Sequence, residues 1–258
     1  NTLPCNEMIV GLCQFDIVWE DKEANKNKII SLIEACKSIT KIDWLIFPEM
    51  TLTGFSMNRD KATLSENDNK FFQDISSNYS LHTTFGGVVD GKNSLITLDN
   101  NGNMIANYAK MHLIPHYGEN ESYVPGDKFC DFEIMGMRVS PSICYDLRFS
   151  YLFWDQASTT DIYVNIANWP RVRNLHWTTL LKARAIENQA YMIGVNRIGQ
   201  DNNETYLGNS IVYGPDGGLV ISCGDGQNFF FCTIEKNKVR KTRDLFPIIT
   251  DRKLLIGG

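Results

Sequence analysis

The sequence predicts an α/β fold, a stack of mixed sheets with helices outside. Short apolar runs bounded by Pro, Gly or polar turns alternate with segments of helical periodicity early in the chain, and hairpin signals appear later. Several of the runs, Trp44-Leu45-Ile46-Phe47 above all, are apolar at every position, which suits strands covered on both faces.

Met8 to Phe15 reads as a buried first strand. Asn25 to Cys36 follows as a helix, with Ile29, Ile30, Leu32 and Ile33 at helical spacing. Trp44 to Phe47 is a second strand, stopped by Pro48. Thr84 to Val89 and Ser94 to Leu98 are further strands, and the turn Asp99-Asn100-Asn101-Gly102 leads into Met104 to Tyr108. Met137 to Ile143 runs up to Cys144, and Phe149 to Ala157 reads as helical. A strand at Ile162 to Ala167, a helix at His176 to Gln189 and strands at Tyr191 to Asn196 and Asn209 to Tyr213 follow. The last is closed by Gly214-Pro215-Asp216-Gly217.

The 258 residues are 43% hydrophobic and 21% charged, as expected of a globular protein. No linker, low-complexity run or repeat divides them, so residues 1–258 are expected to form a single domain. At this size, folding buries roughly three quarters of the unfolded chain's surface, enough for a deep pocket. A formal charge of −5 argues against a nucleic-acid footprint. The densest basic stretch, Lys236 to Arg243, reads as solvated surface. No apolar run reaches the roughly 18 residues of a membrane span. The opening Asn1-Thr2-Leu3-Pro4-Cys5 lacks a signal peptide's basic and apolar regions, and without an initiator Met it points to a trimmed start. Seven cysteines, none in a CxxC, and no zinc-like Cys/His spacing imply reduced thiols and a cytoplasmic protein.

Three residues carry candidate chemistry. Glu49 lies just past the carboxyl end of a buried strand, the edge where α/β folds gather ligands; it reads as a general base or, more blandly, as a capping or salt-bridged carboxylate. Lys110, among Tyr108-Ala109 and Met111-His112-Leu113, could hold a cation beside an oxyanion, or could snorkel to solvent. Cys144 stands at a junction of strand and helix, where a helix N-terminus and a lysine would stabilise its thiolate, with the Tyr145 N–H directed at the same oxyanion. Cys13, Cys36, Cys223 and Cys232 read as structural, and Cys5 and Cys130 carry no signal.

In order and setting these residues resemble the nitrilase superfamily of carbon–nitrogen hydrolases. The resemblance runs through Gly11-Leu12-Cys13-Gln14, Phe47-Pro48-Glu49-Met50 with Thr53-Gly54-Phe55, and Lys110-Met111-His112-Leu113. It continues through Glu121 ahead of Pro125-Gly126, Ser142-Ile143-Cys144-Tyr145-Asp146-Leu147-Arg148-Phe149, Ala167-Asn168-Trp169-Pro170 and Ala183 to Asn188. It implies a four-layer αββα sandwich, with two mixed sheets face to face and helices outside. It also implies Cys144 as nucleophile forming a thioester, Glu49 as base, Lys110 and the Tyr145 N–H as oxyanion partners, and Glu121 as a second glutamate orienting Lys110, although Glu119 lies close by. No metal or organic cofactor is implied.

Cys144 to Phe149, Ala167 to Pro170 and His176-Trp177 are similar to the bacterial omega-amidase branch, whose substrates are 2-oxoglutaramate and 2-oxosuccinamate. Such small-molecule amides carry a distant carboxylate, for which Arg148 is the candidate partner; a loop-supporting salt bridge to Asp146 is its alternative. Trp169 and Phe55 are candidate pocket walls, and an amidase for another acidic amide, such as a deaminated peptide, is the runner-up. A non-catalytic relative would lack Glu49, Lys110 or Cys144. Ser150 stands where this branch usually has Pro, which alters the entrance to the next helix. The family also implies a homodimer or higher homo-oligomer, with Phe149 to Ala157 in the interface.

Pro115 separates His112 from His116 and spoils a metal-binding face. Arg184 and Glu187 are spaced for a helical ion pair, and His176 reads as support for a helix start. Asn203-Glu204-Thr205 matches a glycosylation acceptor and reads as an exposed turn.

Overall fold

The computed structural model describes residues 6–253; the opening segment with Cys5 lies outside them. The apolar runs become the interior of two six-stranded mixed sheets. The first has the strand order Asn228–Glu235, Glu7–Gln14, Trp44–Ile46, His82–Val89, Lys92–Leu98, Met104–Ala109. The second has the order Leu219–Ser222, Ile211–Tyr213, Tyr191–Asn196, Ile162–Ala167, Met137–Ile143, Phe132–Ile134. In each sheet parallel pairs occupy the centre and antiparallel pairs the flanks.

Side chains alternate across a strand, and this alternation builds the layers. Trp44 and Ile46 join Val10, Leu12, Val139, Ile143, Val164 and Ile193 in the core between the sheets. Their neighbours Leu45 and Phe47 face outward onto Ile29 and Ile33 of helix Lys22–Ala35 and onto Phe72 and Ile75 of helix Glu66–Tyr79. On the other side, Tyr163 and Met192 meet Trp177, Leu181 and Ala185 of helix Asn174–Asn188. The result is the expected αββα sandwich.

The predicted elements occur within a few residues of their expected bounds. Helix Glu66–Tyr79, strand Phe132–Ile134, the separate two-stranded pair Ile198–Gln200 and Thr205–Leu207, and strands Leu219–Ser222 and Asn228–Glu235 are additions to the sequence-based assignment. The helix is opened by a Ser65/Asp68 capping box. The last strand pairs with Glu7–Gln14 across more than 200 residues of chain, a contact that no local pattern announces. Lys236–Leu245 is a helix and not merely solvated surface. Its Arg243 donates to the carbonyls of Ala157, Thr160, Asn188 and Gln189, so that one guanidinium clasps the end of helix Asn174–Asn188. In helix Ser150–Trp154, Leu152 and Phe153 are buried within the subunit, leaving Tyr151 as the exposed aromatic. Among the described residues no helix is long and apolar enough to cross a membrane.

Gly86 places the segment that carries Glu49. A Cβ there would lie 2.5 Å from the Met50 nitrogen and 2.9 Å from the Glu49 Cα. The bare backbone instead exchanges hydrogen bonds with Thr51, Thr51 N–H to the Gly86 carbonyl and Gly86 N–H to Thr51 Oγ1, both at 3.0 Å. Gly86→Ala is therefore expected to destabilise the protein by about 1–3 kcal/mol, as overpacking does, in a urea denaturation series; an unchanged midpoint would show that the Glu49 segment moves freely.

Candidate active site

Glu49, Lys110, Cys144 and Asn168 all follow the carboxyl ends of strands, and stacking the two sheets brings those ends together. Lys110 is fully buried. Its Nζ lies 2.8 Å from Glu119 Oε2, 3.0 Å from Glu119 Oε1 and 3.2 Å from Glu49 Oε1. The snorkelling alternative is thus excluded. Glu49 and Glu119 are also fully buried, and their remaining acceptor capacity is filled. Asn93 Nδ2 donates to Glu49 Oε1 and Glu119 Oε1, both at 2.8 Å. The Asn168 N–H reaches Glu49 Oε2 at 2.9 Å, and the Ile114 N–H reaches Glu119 Oε2 at 2.7 Å.

The second glutamate is therefore Glu119, and the expectation of Glu121 is corrected. Gly118, at φ +73°, turns the chain into the four-residue helix Glu119–Ser122. Positions two apart on a helix point about 200° away from one another, so when Glu119 faces Lys110, Glu121 must face away, and it is exposed. Sequence reasoning also passed over Asn93, whose amide ties the two carboxylates together.

Cys144 has φ +43°, a left-handed conformation that costs a non-glycine residue of order 1–3 kcal/mol. Surrounding contacts hold it. The fully buried Asp146 accepts from the Ile143 N–H at 3.0 Å and the Tyr108 hydroxyl at 2.8 Å through one oxygen. Through the other it accepts from the His112 N–H at 2.9 Å and His112 Nδ1 at 2.7 Å. Tyr108 and His112 flank Lys110 by two residues on either side, so one carboxylate locks the nucleophile turn to the lysine segment. With Nδ1 donating to Asp146, His112 Nε2 is left to accept from the Tyr151 hydroxyl. Arg184 adds a clamp: its Nη2 donates to the Leu147 carbonyl at 2.8 Å, while Nη1 makes the expected ion pair with Glu187 at 2.9 Å. The turn's geometry is over-determined.

The electrostatics follow from burial and one unpaired negative charge. Burial lowers the Lys110 pKa, but Glu119 and Glu49 outweigh it and hold the ammonium well above its ordinary range. Burial raises Glu119, with Lys110 opposing and Glu49 reinforcing the shift. Burial also pushes the Cys144 thiol well up; the Glu49 charge adds to this and Lys110 opposes it. Lys110 thus favours the thiolate as expected, but burial and Glu49 outweigh it, so that the thiol keeps its proton until it attacks.

Cys144 opens into a cavity of about 460 Å³ whose walls include Phe55, Tyr145, Arg148, Trp169 and His176. Lys110 Nζ sits 5.0 Å from the Phe55 ring centroid. Arg148 lies over the Trp169 ring at 4.7 Å and contacts His176 Nδ1 at 3.3 Å, so His176, in the first turn of its helix, also buttresses the pocket. Arg148 makes no salt bridge to Asp146; among the described residues no carboxylate lies within ion-pairing distance of it. A thiol, a buried carboxylate beside it and a fixed ammonium together suit acyl transfer.

Comparison with known proteins agrees with this chemistry. The carbon–nitrogen hydrolase family profile matches residues 9–244. The chain is 36% identical to "Omega-amidase YafV" of Yersinia enterocolitica over 95% of its own length and 97% of that protein's. It is 29% identical to the "2-oxoglutaramate amidase" of Bacillus subtilis (strain 168), over 94% and 96% of the two chains. Among solved structures, the CN-hydrolase superfamily protein XC1258 from Xanthomonas campestris, described with an arsenic adduct in its active site, superposes with a TM-score of 0.89 at 27% identity, covering 98% of this chain and 99% of that one.

Because its pKa is raised, Cys144 should alkylate with iodoacetamide at a rate that climbs with pH up to its ordinary value of 9.0 without levelling off, followed on the Cys144 peptide by mass spectrometry. Removing the neighbouring negative charge in Glu49→Gln should lower that pKa and speed alkylation at a given pH. A plateau below pH 7 in the unsubstituted protein would mean a resting thiolate.

Proposed function

Because this chain belongs to the carbon–nitrogen hydrolase family, we propose that it is an omega-amidase, releasing ammonia from the terminal amide of 2-oxoglutaramate or 2-oxosuccinamate. The observation that carries this reading is Arg148, a guanidinium without a carboxylate partner among the described residues, on the wall of the pocket that contains Cys144. A planar guanidinium binds carboxylate bidentately. Arg148 and Cys144 line the same cavity, so a substrate held by its distant carboxylate at Arg148 presents its amide to Cys144.

Glu49 accepts the thiol proton as the sulfur attacks the carbonyl carbon. The carbonyl oxygen becomes an oxyanion, met by the Lys110 ammonium and the Tyr145 N–H. As the C–N bond breaks, Glu49 returns the proton to nitrogen and ammonia departs, leaving a thioester on Cys144. Glu49 then takes a proton from water, whose oxygen attacks the thioester carbon. Collapse of the second tetrahedral intermediate breaks the C–S bond, frees the acid and restores the thiol. Glu119 carries no proton in this sequence; it positions Lys110 and keeps it charged. Trp169 and Phe55 wall the pocket, and no cofactor takes part.

Ammonia release should be faster with 2-oxoglutaramate than with glutamine, asparagine or a simple aliphatic amide; preference for an amide without a carboxylate would sink the assignment. Cys144→Ala should abolish turnover. Glu119→Gln should lower kcat by on the order of 10²-fold or more, while Glu121→Gln should stay within about twofold, as exposed substitutions do. Arg148→Met should raise KM for acidic amides and spare neutral ones; equal harm to both would give Arg148 another role.

A further inference from the structure

The pocket mouth holds a second guanidinium, and its circumstances differ from those of Arg148. Arg173 ends the short helical segment Arg171–Arg173. Its Nη1 donates to the Tyr117 hydroxyl at 3.1 Å and lies 3.7 Å from Glu204 Oε1. The Tyr117 hydroxyl in turn donates to Glu204. Glu204 belongs to the turn that sequence reading took to be merely exposed. Asn203 is exposed, but the Glu204 side chain keeps only 19% of its exposure and faces the pocket.

That position is built. Asp201 Oδ1 accepts from the N–H groups of Asn203 at 2.8 Å and Glu204 at 2.9 Å. Asp201 Oδ2 accepts from the Tyr206 hydroxyl at 2.7 Å. The turn therefore presents Glu204 to Arg173 from a braced support. Burial and the hydrogen bond to Glu204 both keep the Tyr117 phenol protonated, so it remains a donor to Glu204.

We propose that Glu204 is a specificity-determining residue, neutralising Arg173 so that Arg148 is, among the described residues, the one guanidinium of the pocket without a carboxylate partner, and the pocket selects amides whose tail bears a single carboxylate over those bearing two. This rests on the acidic-amide reading above. A tail with one carboxylate finds Arg148. A second carboxylate would meet the Arg173–Glu204 pair, where Glu204 already occupies the guanidinium and repels the newcomer. Specificity of this kind comes from the repulsive element as much as from the attractive one.

The test compares kcat/KM for glutaric acid monoamide with that for its analogue bearing a second carboxylate on the tail. The unsubstituted protein should favour the one-carboxylate amide. Glu204→Gln, which retains an acceptor for Tyr117, should shift the ratio toward the two-carboxylate amide by on the order of tenfold, mainly through KM and more at low salt. Arg173→Gln combined with Glu204→Gln should return the ratio to near its original value. Arg173→Gln alone, which leaves Glu204 unpaired, should penalise the two-carboxylate amide further and serves as a separate arm should Glu204→Gln fail to fold. An unmoved ratio in Glu204→Gln, a shift that persists in the double variant, or an original preference for two carboxylates would each overturn the proposal. Failure of the acidic-amide reading shows in a different ratio, that of a carboxylate-free amide to glutaric acid monoamide.

Discussion

The site depends on one ammonium held out of water between two carboxylates. Lys110, Glu49 and Glu119 are all fully buried, and each would be costly to desolvate alone. Their mutual attraction offsets that cost only because Asn93, Asn168 and the Ile114 N–H satisfy the other lone pairs. Removing one partner from such a cluster leaves an uncompensated charge, at about 3–5 kcal/mol. The chain accordingly places these residues on rigid supports at strand ends.

Burial first, and then the same cluster, keep the thiol protonated at rest. Two carboxylates against one ammonium leave a negative surplus beside Cys144, which disfavours a second anion. A base adjacent to a neutral thiol can accept its proton when an electrophile arrives, and the ammonium then faces a developing oxyanion instead of a standing thiolate. The geometry is prepared in advance: Asp146 fastens the nucleophile turn to both flanks of Lys110, and Arg184 fastens the turn's Leu147 carbonyl to the outer helix. These contacts oppose the tendency of Cys144 to relax from its left-handed backbone conformation.

Much of this was legible from the residues in order. Trp44 to Phe47 is apolar on both faces, and the residue after such a strand marks the ligand edge, which points to Glu49; Cys144 is legible from its junction of strand and helix and, like Glu49, from the resemblance. Glu119 was not, because the phase of a four-residue helix is fixed by the backbone angle at Gly118, which the letters Gly118-Glu119-Asn120-Glu121 leave open. Strand Asn228–Glu235 escaped because its partner lies at the other end of the chain. Asp146 seemed a partner for Arg148 when only sequence proximity was considered; its real partners, Tyr108 and His112, are 38 and 34 residues away. The turn at Asn203-Glu204-Thr205 looked like solvent-exposed punctuation until the fold carried Glu204 to Arg173.

The most direct measurement of the central claim is acid quenching during steady turnover of 2-oxoglutaramate, followed by intact-mass analysis and peptide mapping. The account predicts a protein heavier by the acyl group of the substrate, with the added mass on the peptide containing Cys144 and lost on treatment with hydroxylamine. Turnover with no acyl adduct, or with the adduct on another residue, would contradict it.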